Sequence, residues 1–375
     1  MKIQFLNLKQ QYEETREEIN SAVLKTLNSG WYILGKETER FEQEFKNYLV
    51  ENNKGYVSGV NSGTDAIRIS LIAAGVGYGD EVITVANTAI PTVSAICSTG
   101  AIPIFCDVDK NTWLIDPGKI KKLITKKTKA IIPVHLYGFC AKMDEICALA
   151  KKYNLVVIED VAQACGALYK GRKAGTIGDY GAFSFYPTKN IGACGDGGAI
   201  FTKSKEKSEK IKMLRNYGQS SKYYADIENG GNSRLDEIQA TILRVKLKYL
   251  DKWNLIKSKL AFIYKDKFDQ DNLPLQYQKA SDHVVPAYHL FVIKLNTGDR
   301  NKLIKFLAEY GIETLIHYPM PLYNQKAFKK YKSKELAITE NLTKNIISLP
   351  FHQYLNIKEI KYICDLLRAF FCGKK

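Results

Sequence analysis

No stretch of this chain approaches the roughly 20 consecutive apolar residues that cross a bilayer. Its opening Met-Lys-Ile-Gln-Phe-Leu-Asn-Leu lacks the apolar core of a signal peptide, so a cytoplasmic protein with no membrane partner is expected. The eight cysteines form no C-x-x-C pair and lie mostly in apolar or small-residue segments. That argues against a zinc site and against a disulfide framework, and no metal is expected. Arginine is scarce, nine residues against 46 lysines, although the formal charge is +16. Arginine is the main reader of base edges and the better phosphate fork. Without it, and without a recognition motif, the lysines read as solvated helix faces over 203–212 and 246–267. No nucleic-acid partner is expected; an anionic small-molecule substrate remains a reading of the charge.

What is present is an ordinary globular composition, 45% apolar and 25% charged, over 375 residues. That length suits one large domain and a smaller one. Helical periodicity runs over Tyr12–Leu27, ended by Gly30, and over Glu37–Leu49. Apolar runs at Glu81–Val85, Ile102–Val108, Ala130–Val134 and Leu155–Ile158 read as strands. The segments Pro91–Ser98, Pro117–Ile124 and Asp144–Tyr153 between them read as helices. This alternation predicts an α/β fold, a mostly parallel sheet with helices on both faces. Beyond Ser233 a long Lys-rich helix is expected over Leu235–Phe268. A strand (Ala287–Leu295) and two helices (Arg300–Tyr310, Ile357–Phe371) follow. The expected units are 13–251 and a smaller C-terminal α+β unit, 252–375, with residues 1–12 packing nearby.

In parallel sheets chemistry collects at the carboxyl ends of strands, and three motifs fall there. Tyr56-Val-Ser-Gly-Val-Asn-Ser-Gly-Thr64-Asp-Ala-Ile reads as strand, turn and helix start. Ser62 or Thr64 can cap that helix, and free amides at Gly63, Thr64 and Asp65 would make a phosphate seat. Leu155-Val-Val-Ile-Glu-Asp160-Val-Ala-Gln163 runs four apolar residues into a carboxylate. Asp160 there can hold a protonated ring nitrogen, and Gln163 offers a donor to the same ligand. Phe183-Ser-Phe-Tyr-Pro-Thr-Lys189 then precedes Gly192, Gly195, Gly197 and Gly198. Desolvation at such a strand end lowers a lysine's pKa, as an imine-forming amine requires, and Ser184 can add a hydroxyl to a phosphate. Each motif alone also fits a bland reading: a capped helix, a capping aspartate, a surface lysine beside a turn. Together they match pyridoxal 5'-phosphate, which needs a lysine, an acidic partner for its ring nitrogen and a phosphate cup.

With these residues in place the chain resembles the DegT–StrS group of nucleotide-sugar aminotransferases, fold type I pyridoxal phosphate enzymes. The resemblance runs through Ser29-Gly-Trp-Tyr-Ile-Leu-Gly35, Asn61-Ser-Gly-Thr-Asp-Ala66, Glu159-Asp-Val-Ala-Gln-Ala164, Phe183–Asn190, Asn232-Ser-Arg-Leu-Asp-Glu237 and His317-Tyr-Pro319. It implies that Lys189 forms the imine and that Asp160 partners the ring nitrogen. It also implies that Gln163 meets the ring hydroxyl and that Gly63, Thr64 and Ser184 hold phosphate. Asn232 matches an asparagine that reaches the phosphate from the other subunit, which implies a homodimer with shared sites. Tyr217, Tyr224 and Tyr318 are candidate contacts to cofactor or sugar, or plain aromatic packing.

The implied reaction moves an amino group from glutamate to a keto-6-deoxyhexose on a nucleoside diphosphate, in amino-sugar biosynthesis for a surface polysaccharide or glycoside. Asn87-Thr-Ala-Ile-Pro-Thr92 resembles members that aminate C3 of dTDP-linked sugars; amination at C4 is the alternative. A regulatory protein on a borrowed fold is the rival from another class. Two positions depart from the family pattern. Ala89 stands where many members stack an aromatic ring on the cofactor, and Cys165 stands where histidine is common. Cys165 is expected to be a small buried apolar residue rather than a redox group.

Overall fold

The apolar runs pair into one seven-stranded sheet in a computed structural model that describes residues 2–51, 54–332 and 336–373. Met1 and the last two residues of the expected C-terminal unit lie outside that set. We number the strands of this sheet β1 (Tyr56–Val60), β2 (Glu81–Val85), β3 (Ile102–Cys106), β4 (Thr128–Ile131), β5 (Val156–Asp160), β6 (Tyr180–Ser184) and β7 (Gly198–Thr202). Their spatial order is β1-β7-β6-β5-β4-β2-β3. From β6 to β3 all neighbours are parallel, as the sequence implies. β7 runs antiparallel to both β6 and β1, and β1 pairs with no other strand of the sheet.

Side chains alternate between the two faces of each strand. Val60, Val82, Ala130, Ile158, Ala182 and Ile200 face one way, toward the helix Gly63–Ala73 and its neighbour Ile90–Ser98. Ile83, Ile131, Val157, Phe183 and Phe201 face the other way and join the main core with Phe41 and Phe45 of the helix Lys36–Leu49. Phe183 and Phe185 meet Phe45 edge-on, at centroid distances of 5.1 and 5.4 Å. Phe183 and Phe185, in the run before Lys189, are therefore anchors in the core, while Tyr186 beside them is exposed.

Glu237 ties the N-terminal segment to this body. Its carboxylate accepts the amides of Gly35, Glu37 and Thr38 at 2.8–2.9 Å, the orphan donors at the start of the helix Lys36–Leu49. The expected single helix over 235–268 is instead two, Glu237–Leu247 and Leu250–Gln270. Neither proline nor glycine marks the break. At the joint, Tyr249 stacks on Trp253 at 5.6 Å and its hydroxyl bonds Glu18, so tertiary contacts decide the turn.

A second, antiparallel sheet joins Leu275–Tyr277, Phe291–Leu295 and Ile346–Leu349, with the middle segment central. The helices Arg300–Glu309 and Ile357–Cys372 lie in the same part of the chain. Ile3 pairs with Ile312, and the Phe5 amide donates to Glu313 at 3.1 Å, so the first residues pack here. Among the described residues, no helix is long and apolar enough to cross a membrane.

Candidate active site

β5 is buried over its last four residues, as expected for a central parallel strand, and it ends in two carboxylates on opposite faces. Glu159 takes the Val157 face. It accepts the amides of Gly175, Ile177 and Gly178 at 2.7–2.9 Å and lies 2.9 Å from His135 Nε2. The Ala141 amide donates to His135 Nδ1, so Nε2 carries the proton that Glu159 receives. Burial alone would raise this carboxyl; the His135 hydrogen bond and the amides bring it below its ordinary value. Glu159 is a structural pin.

Asp160 takes the other face, toward the helix Ile90–Ser98. Thr92 Oγ1 donates to Oδ2 at 2.8 Å and the Ala162 amide to Oδ1 at 3.1 Å. Thr88 extends the chain, its Oγ1 lying 3.0 Å from that of Thr92. Burial raises the Asp160 pKa, offset in part by these two donors and by the charge of Lys189. Lys189 is half-buried in the loop after β6, where its amide donates to the Tyr186 carbonyl at 2.9 Å. Burial pushes its amine down to about 8 against the pull of Asp160. Glycine is required at 192, where a Cβ would lie 2.3 Å from the Pro187 carbonyl oxygen.

Register places the remaining ligands. Asp160 pairs with Ala182 across β5–β6, so Ser184, two residues on, shares the Asp160 face. A Cβ on Gly63 would lie 2.6 Å from Ser184 Cβ, which brings strand end and helix start together. Ser62 is the cap, accepting the Asp65 amide at 3.2 Å. This corrects the expectation of three free amides: the Asp65 amide is spent on its own helix cap, which leaves those of Gly63 and Thr64.

Gln163 and Tyr318 also meet. Gln163 Nε2 donates to the Tyr318 hydroxyl at 3.1 Å, and its Oε1 accepts the Tyr137 amide at 2.7 Å. Burial and the charge of Asp160 push the Tyr318 phenol above its ordinary value. Tyr137, held in the left-handed region at φ 59°, donates its hydroxyl to the His317 carbonyl. Tyr217, Tyr224 and Asn232 are not gathered in. All three are exposed, the first two on or beside the hairpin Gln219–Ala225, with Tyr217 under the Arg234 guanidinium at 5.6 Å. The Asn232 side chain makes no hydrogen bond with any described residue.

Sequence reasoning missed Thr92, Tyr137 and His135. Pro91 signals a helix start, but no spacing announces that the Thr92 hydroxyl meets a carboxylate 68 residues later. Cys165 is buried and its thiol is pushed up to about 12 by burial, as a small core residue would be.

The cradle fits a pyridine-ring phosphate. It has a low-pKa amine, a buried carboxylate on the same sheet face, and a close Gly63–Ser184 approach beside two helix amides. With this fold, it defines a fold type I pyridoxal phosphate aminotransferase. The chain belongs to the DegT/DnrJ/EryC1/StrS aminotransferase family, which it matches over residues 13–368. It is 42% identical to a dTDP-3-amino-3,6-dideoxy-alpha-D-galactopyranose transaminase of Aneurinibacillus thermoaerophilus, over 98% of this chain and 99% of that one. It is 40% identical to a pleiotropic regulatory protein of Geobacillus stearothermophilus, over 99% of each. The solved structure of S. venezuelae DesV in complex with a ketimine intermediate superimposes with a TM-score of 0.95 at 39% identity, over 100% of both chains. Solved structures of the same fold carry the cofactor in its PLP and PMP forms.

Proposed function

We propose that this aminotransferase passes the amino group of glutamate to C3 of a keto-6-deoxyhexose carried on dTDP. Such a product feeds a surface polysaccharide or glycoside, and the reaction takes place in the cytoplasm. The observation that carries the reading is Lys189, whose amine sits near pKa 8 in the field of Asp160. Its C3 assignment draws on the A. thermoaerophilus relative and on the sequence Asn87–Thr92, where Ala89 leaves the cofactor face without an aromatic cover.

Bound in this cradle, pyridoxal phosphate supplies the electron sink for the carbon that loses its proton. Asp160, kept by Thr92 and Ala162, would accept the hydrogen bond of the protonated ring nitrogen. The Gly63 and Thr64 amides and Ser184 would hold the phosphate, and Gln163 with Tyr318 would border the ring. A neutral Lys189 amine takes the proton from one carbon and returns it to another, since burial leaves it basic enough to accept and acidic enough to give.

The working unit is a homodimer. Exposed apolar side chains crowd the end of the helix Leu8–Asn28 and the turn after it: Leu24, Leu27, Trp31, Tyr32 and Ile33. Such a patch marks an interface. Asn232, whose side chain makes no hydrogen bond with any described residue, completes the phosphate site of the other subunit, and Tyr217 and Tyr224 approach the sugar.

Incubation of the protein with C3-keto and C4-keto dTDP-sugars and glutamate, with the product read by NMR, tests the reading. A nitrogen at C3 is expected; a nitrogen at C4 overturns the regiochemistry, and no transfer to either overturns the substrate. Loss of both yellow colour and turnover is expected for Lys189→Ala. Mixed dimers of Lys189→Ala and Asn232→Ala chains are expected to regain part of the activity, and no recovery in demonstrated heterodimers counts against shared sites.

A further inference from the structure

Behind the catalytic lysine lies a cavity of about 30 Å³, bordered by Lys189, Asn190, Lys257, His289 and His352 and by the N-terminal segment around Gln11. Asp160, Gln163 and Ser184 do not border it. Its lining holds two lysines and two histidines and no carboxylate. Lys257 comes from the helix Leu250–Gln270 and is 5% exposed, yet its amine makes no hydrogen bond or ion pair with any described residue. His289, 7% exposed, is equally unpartnered.

A buried cation without a counter-charge is costly, and proteins resolve it by pairing the charge or by losing it. Here the protein supplies no acid. We propose that this cavity is a binding site for a small monatomic anion, chloride, held by Lys257. The size decides the class. A water needs at least about 10–15 Å³ of such space, so about 30 Å³ suits one or two particles of about that size better than phosphate or a substituted carboxylate.

Burial pushes the Lys257 amine down to about 7, so near neutrality it stands between its two forms, and an anion selects the charged one. Burial, with the charges of Lys189, Lys257 and His317, keeps His289 neutral and well below its ordinary pKa, leaving its ring N–H as a second donor. The site is separate from the cofactor cradle yet shares Lys189 with it.

Two measurements on the cofactor-loaded protein decide the matter. Crystals soaked in sodium bromide are expected to show an anomalous peak in the cavity within hydrogen-bond reach of Lys257 Nζ. A cavity holding only water under those conditions overturns the proposal. In solution, sodium chloride is expected to raise the thermal midpoint above that in sodium gluconate at equal ionic strength. Lys257→Met is expected to lose that chloride-specific increment and Lys257→Arg to keep it. An increment of the same size in Lys257→Met overturns the assignment to this lysine. A bromide peak whose chloride increment is absent from the unaltered protein marks an adventitious ion only and overturns it too.

Discussion

Thr92 Oγ1 donates a 2.8 Å hydrogen bond to Asp160 Oδ2, joining the first turn of one helix to the end of the central strand. Asp160 must stay ionised in a buried place that works against its charge. Thr92 is one of the donors that offset this. The carboxylate proposed to hold the cofactor is thus itself held.

Removing that donor with Thr92→Val is expected to raise the Asp160 pKa further and weaken its grip on a protonated ring nitrogen. A hydrogen bond to a charged group is worth about 1.5–3 kcal/mol, so cofactor affinity is expected to fall roughly ten- to hundredfold. Thr92→Ser is expected to restore most of it. Titration of cofactor-free protein with pyridoxal phosphate reads both, and equal affinity in Thr92→Val contradicts the role.

Gly63→Ala places a methyl where Ser184 Cβ lies 2.6 Å away, so helix start and strand end must part. The proposed phosphate seat is then too wide. Cofactor affinity is expected to drop at least about tenfold, as for a lost good hydrogen bond, while far-ultraviolet circular dichroism stays unchanged. Unaltered affinity would show that the seat lies elsewhere.

Lys189 titrates near 8 in the folded chain against about 10.4 unfolded. Below the folded value its buried charge is a full penalty on stability. Between the two values the unfolded chain binds more protons, so this residue's penalty is relieved as pH rises. Cofactor-free Lys189→Met is therefore expected to melt above the unaltered protein at pH 7. The gap is expected to close toward pH 10. A gap that widens with pH has the wrong sign for this account.

Glu159→Ala strands three buried amides and leaves His135 without its acceptor. A loss of at least about 3 kcal/mol is expected, since each buried donor left unsatisfied costs about 1–3 kcal/mol. Glu159→Gln keeps one acceptor oxygen and is expected to lose less. Urea midpoints compare the two; equal, small losses would mean that Glu159 does not pin β5.

Much of this site was legible before any coordinates. Apolar runs ending in Asp160 and in Lys189 carry their own signal, because a parallel sheet presents strand ends on one side. Period-two alternation even puts Glu159 and Asp160 on opposite faces. What covers each face was not legible, since Thr92 and His135 come from distant segments and nothing local marks them. The Asp65 amide was misjudged for a related reason: whether Ser62 or Thr64 is the cap decides which amides remain, and both residues are competent caps. The turn at Lys248–Tyr249 is likewise set by Glu18 and Trp253, not by its own residues.

Among the described residues, the strand that leads into the proposed phosphate seat pairs within the sheet only with β7, which lies about 140 residues further along the chain. A ribosome-bound chain therefore exposes β1 as an unclaimed edge until Thr202 has emerged. Gly198 makes the closure exacting, because any Cβ there would strike the Ser62 carbonyl carbon at 2.4 Å. The seat consequently closes only once β7 has emerged, and a nascent chain halted before β7 should hold a strand without its neighbour in the sheet.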